Sequence, residues 1–212
     1  MPTMPDAVTS SKPFEPGTTG WTAADLDEPA VEAAWFRGAY EIIEGVLTRM
    51  PPAYFVGGEA TQNLVDLLKA HLRACGLGTS FAVGADVVVS DARVLCPDMT
   101  YMTPEDKARQ ADAARAAGRA DLRRARLYVP PTLVIESVSP GHEQHDERTK
   151  RRWYAEFGVP NYWILNAFDR TLRCLVLQTG AYRDDAVGRD ADEVKPSAFP
   201  GLVIPLMKVW PE

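Results

Sequence analysis

Two apolar runs each carry a single acid, and this pairing constrains the chain more than any other feature. Val94-Leu95-Cys96-Pro97-Asp98 ends on one carboxylate, and Leu133-Val134-Ile135-Glu136-Ser137-Val138 encloses another. Short β-branched, apolar runs of this kind read as buried strands. An unpaired carboxylate is costly to bury, so such a group is protonated, paired or bound to a cation. Two of them on neighbouring strands suggest a shared divalent metal, and a metal held by acids suggests phosphodiester chemistry.

The rest of the chain supplies a scaffold for that pair. With 212 residues, 46% of them hydrophobic, it has enough apolar material for one sizeable core. The expectation is a single domain over residues 21–212 behind a disordered tail, 1–20, rich in Pro, Ser, Thr and Gly. Hydrophobic spacing predicts a short helix over 22–38 and a strand, turn and strand over 40–47. A long helix follows, in which Ala60, Leu64, Leu67, Leu68, Leu72 and Cys75 recur at helical spacing before a stop at Gly76. Runs 81–89 and 94–102 read as strands joined through Ser90-Asp91-Ala92 as a hairpin. Strand 132–138, helix 141–157 ended by Gly158, strands 162–165 and 172–178, and a closing segment at 199–204 complete the pattern.

Residues 104–126 form an Ala/Arg/Asp stretch that starts at Thr103-Pro104-Glu105, a sound helix start, and has little besides Leu122 to bury. It reads as an exposed helical insertion, broken near Gly118. The net charge of −6 argues against nucleic acid, yet this stretch holds seven Lys/Arg against four Asp/Glu. Arg148, Lys150, Arg151 and Arg152 form a second basic cluster. A local basic face guides a polyanion; it is equally the solvated side of an ordinary helix. No run approaches the length of a bilayer span, and no basic-then-apolar start suggests a signal peptide. Three cysteines, far apart and with no CxxC, fit a reduced, cytoplasmic protein with no membrane role.

Lys150 is the cation best placed to serve the two acids. On helix 141–157, Asp146, Lys150, Trp153, Tyr154 and Phe157 share one face, and the aromatics must turn that face to the core. Lys150 is therefore tilted inward, on the helix that directly follows the Glu136 strand, with Asp146 one turn earlier as a candidate partner. Each residue also has a plainer reading. Asp98 after a proline suits a turn, Glu136 suits an ion pair with a core arginine, and Lys150 could lay its stem over the aromatics with its head in water. His142-Glu143-Gln144-His145 resembles the HExxH zinc motif, but its second histidine comes one residue early. Trp153, Tyr154, Tyr162 and Trp163 could stack bases, although their inward positions favour core packing.

The ordered string of motifs resembles the Uma-two family of putative restriction endonucleases, within the PD-(D/E)XK nuclease superfamily. The likeness covers roughly residues 39–206. It rests on Tyr40-Glu41-Ile42-Ile43-Glu44-Gly45, Pro97-Asp98 and Leu133 through Pro140. Asp146, Lys150 and Tyr154 continue it, with Gly158 through Leu165 and Pro200-Gly201-Leu202. The resemblance implies an α/β fold with a restriction-endonuclease-like core, a central mixed β-sheet flanked by helices. It implies a magnesium-dependent site, with manganese as a substitute, in which Asp98 and Glu136 are the metal carboxylates and Lys150 completes the catalytic set. The superfamily places its lysine two residues after the second acid, where this chain has Val138; in proteins of this kind the following helix can supply it. The expected function is endonucleolytic hydrolysis of DNA by a homodimer, since cutting two strands with one site per chain is simplest with two chains. The alternative is a catalytically silent nucleic-acid-binding or partner-recruiting domain on a nuclease scaffold.

Overall fold

The computed structural model describes residues 12–51, 54–119, 126–138 and 145–211, with backbone alone at 145–147. In chain order the elements are α1 (Pro29–Trp35), β1 (Tyr40–Ile43), β2 (Val46–Arg49), α2 (Phe55–Ala74), β3 (Ser80–Val83), β4 (Val87–Ser90), β5 (Arg93–Leu95) and β6 (Met99–Met102). They continue as α3 (Pro104–Ala116), β7 (Leu133–Ser137), α4 (Arg151–Phe157), β8 (Asn161–Asn166), β9 (Thr171–Gln178), β10 (Ala181–Arg189), β11 (Glu193–Val194) and β12 (Ile204–Pro205). A π-helical turn, His145–Lys150, leads into α4. The stretch read from sequence as a single domain is built from two compact units, Met1–Pro52 with Val88–Cys96, and Ala53–Val87 with Pro97–Glu212.

The first unit grows from a tight hairpin. Glu44 and Gly45 both take positive φ (51° and 75°), the backbone a two-residue turn needs, and β1 pairs antiparallel with β2 from Tyr40↔Arg49 to Ile43↔Val46. The four-stranded sheet has the order β2-β1-β5-β4. Ile42, Leu47 and Val94 pack with Trp21, Leu26, Val31 and Trp35. The helix expected over 22–38 is divided. A 3-10 turn covers Ala24–Asp27, Glu28 is extended, and α1 begins at Pro29. A proline favours an extended residue before it and fits the first helical position, so it separates the two turns. Residues 12–20, expected to belong to a disordered tail, are instead tied down. Gly17 donates to Leu47 O (2.8 Å), Leu47 donates to Thr18 O (3.0 Å), and Lys12 pairs with Asp25 at 2.8 Å. The Phe14 ring packs edge-on against Trp21 and Tyr40. Residues 1–11 lie outside the described residues.

The second unit holds a six-stranded sheet in the order β10-β9-β8-β7-β6-β3, antiparallel except for the parallel β7–β8 pair. Parallel neighbours need a crossover, and the chain between β7 and β8 supplies it through α4. Alternation along the strands gives the sheet two apolar faces. On one, Leu133, Ile135, Trp163 and Leu165 pack with Ala60, Leu64, Val65 and Leu68 of α2. On the other, Tyr154 of α4 lies 5.3 Å from the Tyr162 ring, which lies 5.6 Å from Tyr182. The result is an α/β core with a central mixed sheet flanked by helices.

Three further points differ from what the sequence suggests. The runs 81–89 and 94–102 are not one long hairpin: β4 and β5 belong to the four-stranded sheet, while β3 and β6 pair in the six-stranded one. The breaks fall at Gly84, whose φ is 56°, and at Pro97, which has no amide to donate. The 104–126 insertion contains α3, capped by Thr103, whose hydroxyl accepts the Asp106 N–H (3.1 Å). Among the described residues a polar clasp docks it; Leu122 lies outside them. The buried Gln110 donates to Arg126 O (2.6 Å) and accepts from Tyr128 N–H (2.8 Å). Finally, β10 has no counterpart in the sequence reading. Its residues are mostly polar and exposed, and its partner β9 specifies it.

Candidate active site

Strand register decides where the two acids point. β6 and β7 run antiparallel with Met99, the residue after Asp98, opposite Ile135, the residue before Glu136. Residues directly opposed in an antiparallel pair project to the same face. Met99 and Ile135 belong to the core shared with α2, so alternation along β7 turns Glu136 to the α4 side. Asp98 sits in the bend between Pro97 and β6, partly exposed. Its Oδ2 accepts the Ser137 N–H at 2.6 Å, which fixes that carboxylate to the end of β7.

Glu136 is buried beneath α4. Lys150, the last residue of the π-helical turn, donates from Nζ to Glu136 Oε1 at 3.2 Å, and the Tyr154 hydroxyl donates to the same oxygen at 3.0 Å. The side chains of Lys150 and Glu136 are only 1% and 4% exposed. Two charges this dry are tolerable only when paired and further hydrogen-bonded, which this arrangement provides. The structure thus gives Glu136 a lysine partner, and buries the Lys150 head rather than leaving it in water. Asp146, the candidate partner of Lys150, has no described side chain. His142, Glu143 and Gln144 lie outside the described residues, and His145 is described by its backbone alone.

Tyr154 is the residue that sequence reasoning passed over. Its ring packs in the core as expected, but its hydroxyl shares Glu136 with Lys150. The signal was present: 150 and 154 are four apart, the spacing at which helical side chains meet. Trp153 and Trp163 are buried in the core. Behind this cluster, burial holds the Tyr182 phenol well above its ordinary value, against a lowering influence from Arg151. That hydroxyl donates to Val159 O at 2.7 Å.

Among the described residues, no group of three or more His, Cys, Asp or Glu gathers as a metal cage. Asp98 and Glu136 offer two carboxylates as a donor set, the first fastened to the amide that follows the second. The set fits magnesium, which favours one or two carboxylates and fills its remaining positions with water and substrate oxygens.

A family model described as Uma2, putative restriction endonuclease, matches residues 36–207. No curated protein matches the chain. Among solved structures, the chain is similar to a putative nuclease belonging to DUF820 from Anabaena variabilis ATCC 29413. The TM-score is 0.61 and the identity 14%, and the match covers 82% of this chain and 90% of that one. At that identity the likeness concerns the fold.

Proposed function

The chain belongs to the Uma2 family of putative restriction endonucleases, and from that membership we propose a magnesium-dependent endonuclease that hydrolyses DNA phosphodiester bonds. Asp98, Glu136 and Lys150 are its catalytic residues, and Asp98 and Glu136 its metal carboxylates. The observation that supports the reading is the Asp98 carboxylate fastened to the Ser137 N–H, next in the chain to Glu136, with the Lys150 ammonium on Glu136.

Each side chain has a task. Asp98, anchored by the Ser137 N–H, offers a partly exposed anion. Glu136, held by Lys150 and Tyr154 through one oxygen, keeps a fixed orientation below it. Asp98 and Glu136 would hold the magnesium, which would supply Lewis acidity, lowering the pKa of water and neutralising charge on the scissile phosphate. Lys150 places a positive charge beside this site, where it orients the attacking water and offsets the negative charge that builds on the phosphate oxygens. Burial strengthens that contribution, because little solvent screens it. Manganese serves in place of magnesium, having the same taste for hard oxygen ligands. Two chains act together as a homodimer, one site per strand, in the cytoplasm. Among the described residues, no helix is long and apolar enough to cross a membrane.

Plasmid nicking tests the reading. With magnesium or manganese the native chain should convert supercoiled DNA to nicked and linear forms, and EDTA should stop it. Asp98→Ala and Glu136→Ala should each lower the rate about a hundredfold or more. Equal residual nicking by all three chains would overturn the proposal and leave a binding domain on a nuclease scaffold.

A further inference from the structure

Three large aromatic side chains stand in water at the end of the sheet that bears the acids. Phe55 is 85% exposed, Tyr54 54% and Phe168 47%. Their position follows from named contacts. β7 and β8 are parallel, so Ser137 and Asn166 end together, and Asp98 is fastened to the Ser137 N–H at that end. The first turn of α2 reaches the same place: a Cβ built on Gly57 would lie 2.7 Å from Ser137 Oγ. Phe168 lies in the turn that follows β8, and its ring meets Tyr54 edge to face at 5.5 Å. Tyr54 and Phe55 open α2, Phe168 follows β8, and the Asp98 carboxylate is fastened to the backbone of Ser137, the residue that Gly57 of α2 approaches.

Exposed phenyl rings are costly to leave in water and are well suited to cover another flat apolar surface. Phosphate attraction alone is a weak source of grip for a chain of net charge −6. In an intact duplex the faces of the bases are already covered by their neighbours, so rings of this kind can only stack on bases that are unpaired or turned out. We propose that Tyr54, Phe55 and Phe168 form a stacking rim that receives unpaired bases, so that the preferred substrate is DNA with single-stranded character at the point of cleavage. This rests on the nuclease reading above and adds the substrate class to it.

The test is fluorescence anisotropy in EDTA, where no cleavage intervenes, with a fluorescein-labelled twelve-nucleotide oligo(dT) and a twelve-base-pair duplex as probes. The Phe55→Ala, Phe168→Ala double variant should lose about tenfold or more in affinity for oligo(dT) while its duplex affinity stays within about twofold. Phe55→Trp should keep the oligo(dT) affinity. Its fluorescence should be quenched by the oligonucleotide beyond that of the native chain, whose five tryptophans are all buried. Unchanged oligo(dT) affinity in the double variant, or an equal loss on both probes, would overturn the rim. So would a dimer that falls to monomer in sedimentation when the rings are removed, because the rings would then belong to an interface between copies. The two readings fail separately. A native chain that nicks plasmid but shows no rim dependence loses only the rim, while one that binds oligo(dT) through the rim but never nicks loses only the nuclease.

Discussion

At the scale of single residues, the weight falls on a buried ion pair that serves Glu136. Breaking such a pair from one side strands a charge, which costs roughly 3–5 kcal/mol, whereas replacing both partners by apolar groups is often close to neutral. Lys150→Met alone should therefore lower the urea midpoint severely, and Lys150→Met with Glu136→Leu should recover most of the loss. Tyr154→Phe keeps the ring and removes one bond to a charged acceptor, which costs about 1.5–3 kcal/mol. If Lys150→Met were as stable as the native chain, Lys150 and Glu136 would not be coupled as described. The inward tilt of Lys150 was legible in the sequence because Trp153, Tyr154 and Phe157 fix the buried side of its helix. The Tyr154 hydroxyl was not, since a tyrosine in an aromatic stripe looks like packing until its oxygen is placed. Lys150 was also legible as the cation serving the acids, because its helix directly follows the Glu136 strand; its direct bond to Glu136 was not, because an apolar strand shows that a charge is buried but not what neutralises it.

At the scale of elements, the start of α2 and the end of β7 are held close by the absence of a side chain. Gly57 faces Ser137 Oγ, which a Cβ would approach to 2.7 Å. Overpacking of this kind costs about 1–3 kcal/mol, while alanine is otherwise favoured over glycine in a helix by roughly 0.5–1 kcal/mol. Gly57→Ala should therefore destabilise the native chain but be neutral or stabilising once Ser137→Ala has removed the oxygen. A double-mutant cycle in urea reads that change of sign, and additive effects would contradict the close approach. The strands β1, β2, β7, β8 and β9 and the helix α2 were legible from hydrophobic period and turn chemistry. The division of 81–89 and 94–102 between two sheets was not, because both halves of each run are equally β-prone and only pairing distinguishes them. β10 escaped for the opposite reason: its polar residues carry no pattern of their own.

At the scale of the whole molecule, an acidic chain must bind a polyanion through local charge. The seven basic residues of 104–126 looked ample for this, but the structure commits several of them. Arg109 pairs with Asp106, Arg115 with Asp112, and Arg126 with the buried Asp86. If the segment touches the DNA backbone, replacing Lys107, Arg109 and Arg115 by Gln should flatten the dependence of log affinity on log salt. The slope should fall by about 0.9 for each phosphate these side chains neutralise. An unchanged slope would remove the segment from the interface. The α/β class and the order of motifs were readable from the chain alone, and the family match covers residues 36–207. The anchoring of residues 12–20 was not readable, because a composition rich in Pro, Ser, Thr and Gly masks the roles of Phe14 and Lys12.

The proposed site requires Asp98 and Glu136, far apart in sequence, to hold one ion. Crystals soaked in manganese and measured at a wavelength where manganese scatters anomalously test this directly. A single anomalous peak touching both carboxylates, and absent from crystals of Glu136→Ala, is the predicted result. A peak bound elsewhere, or no peak at saturating manganese, would contradict it.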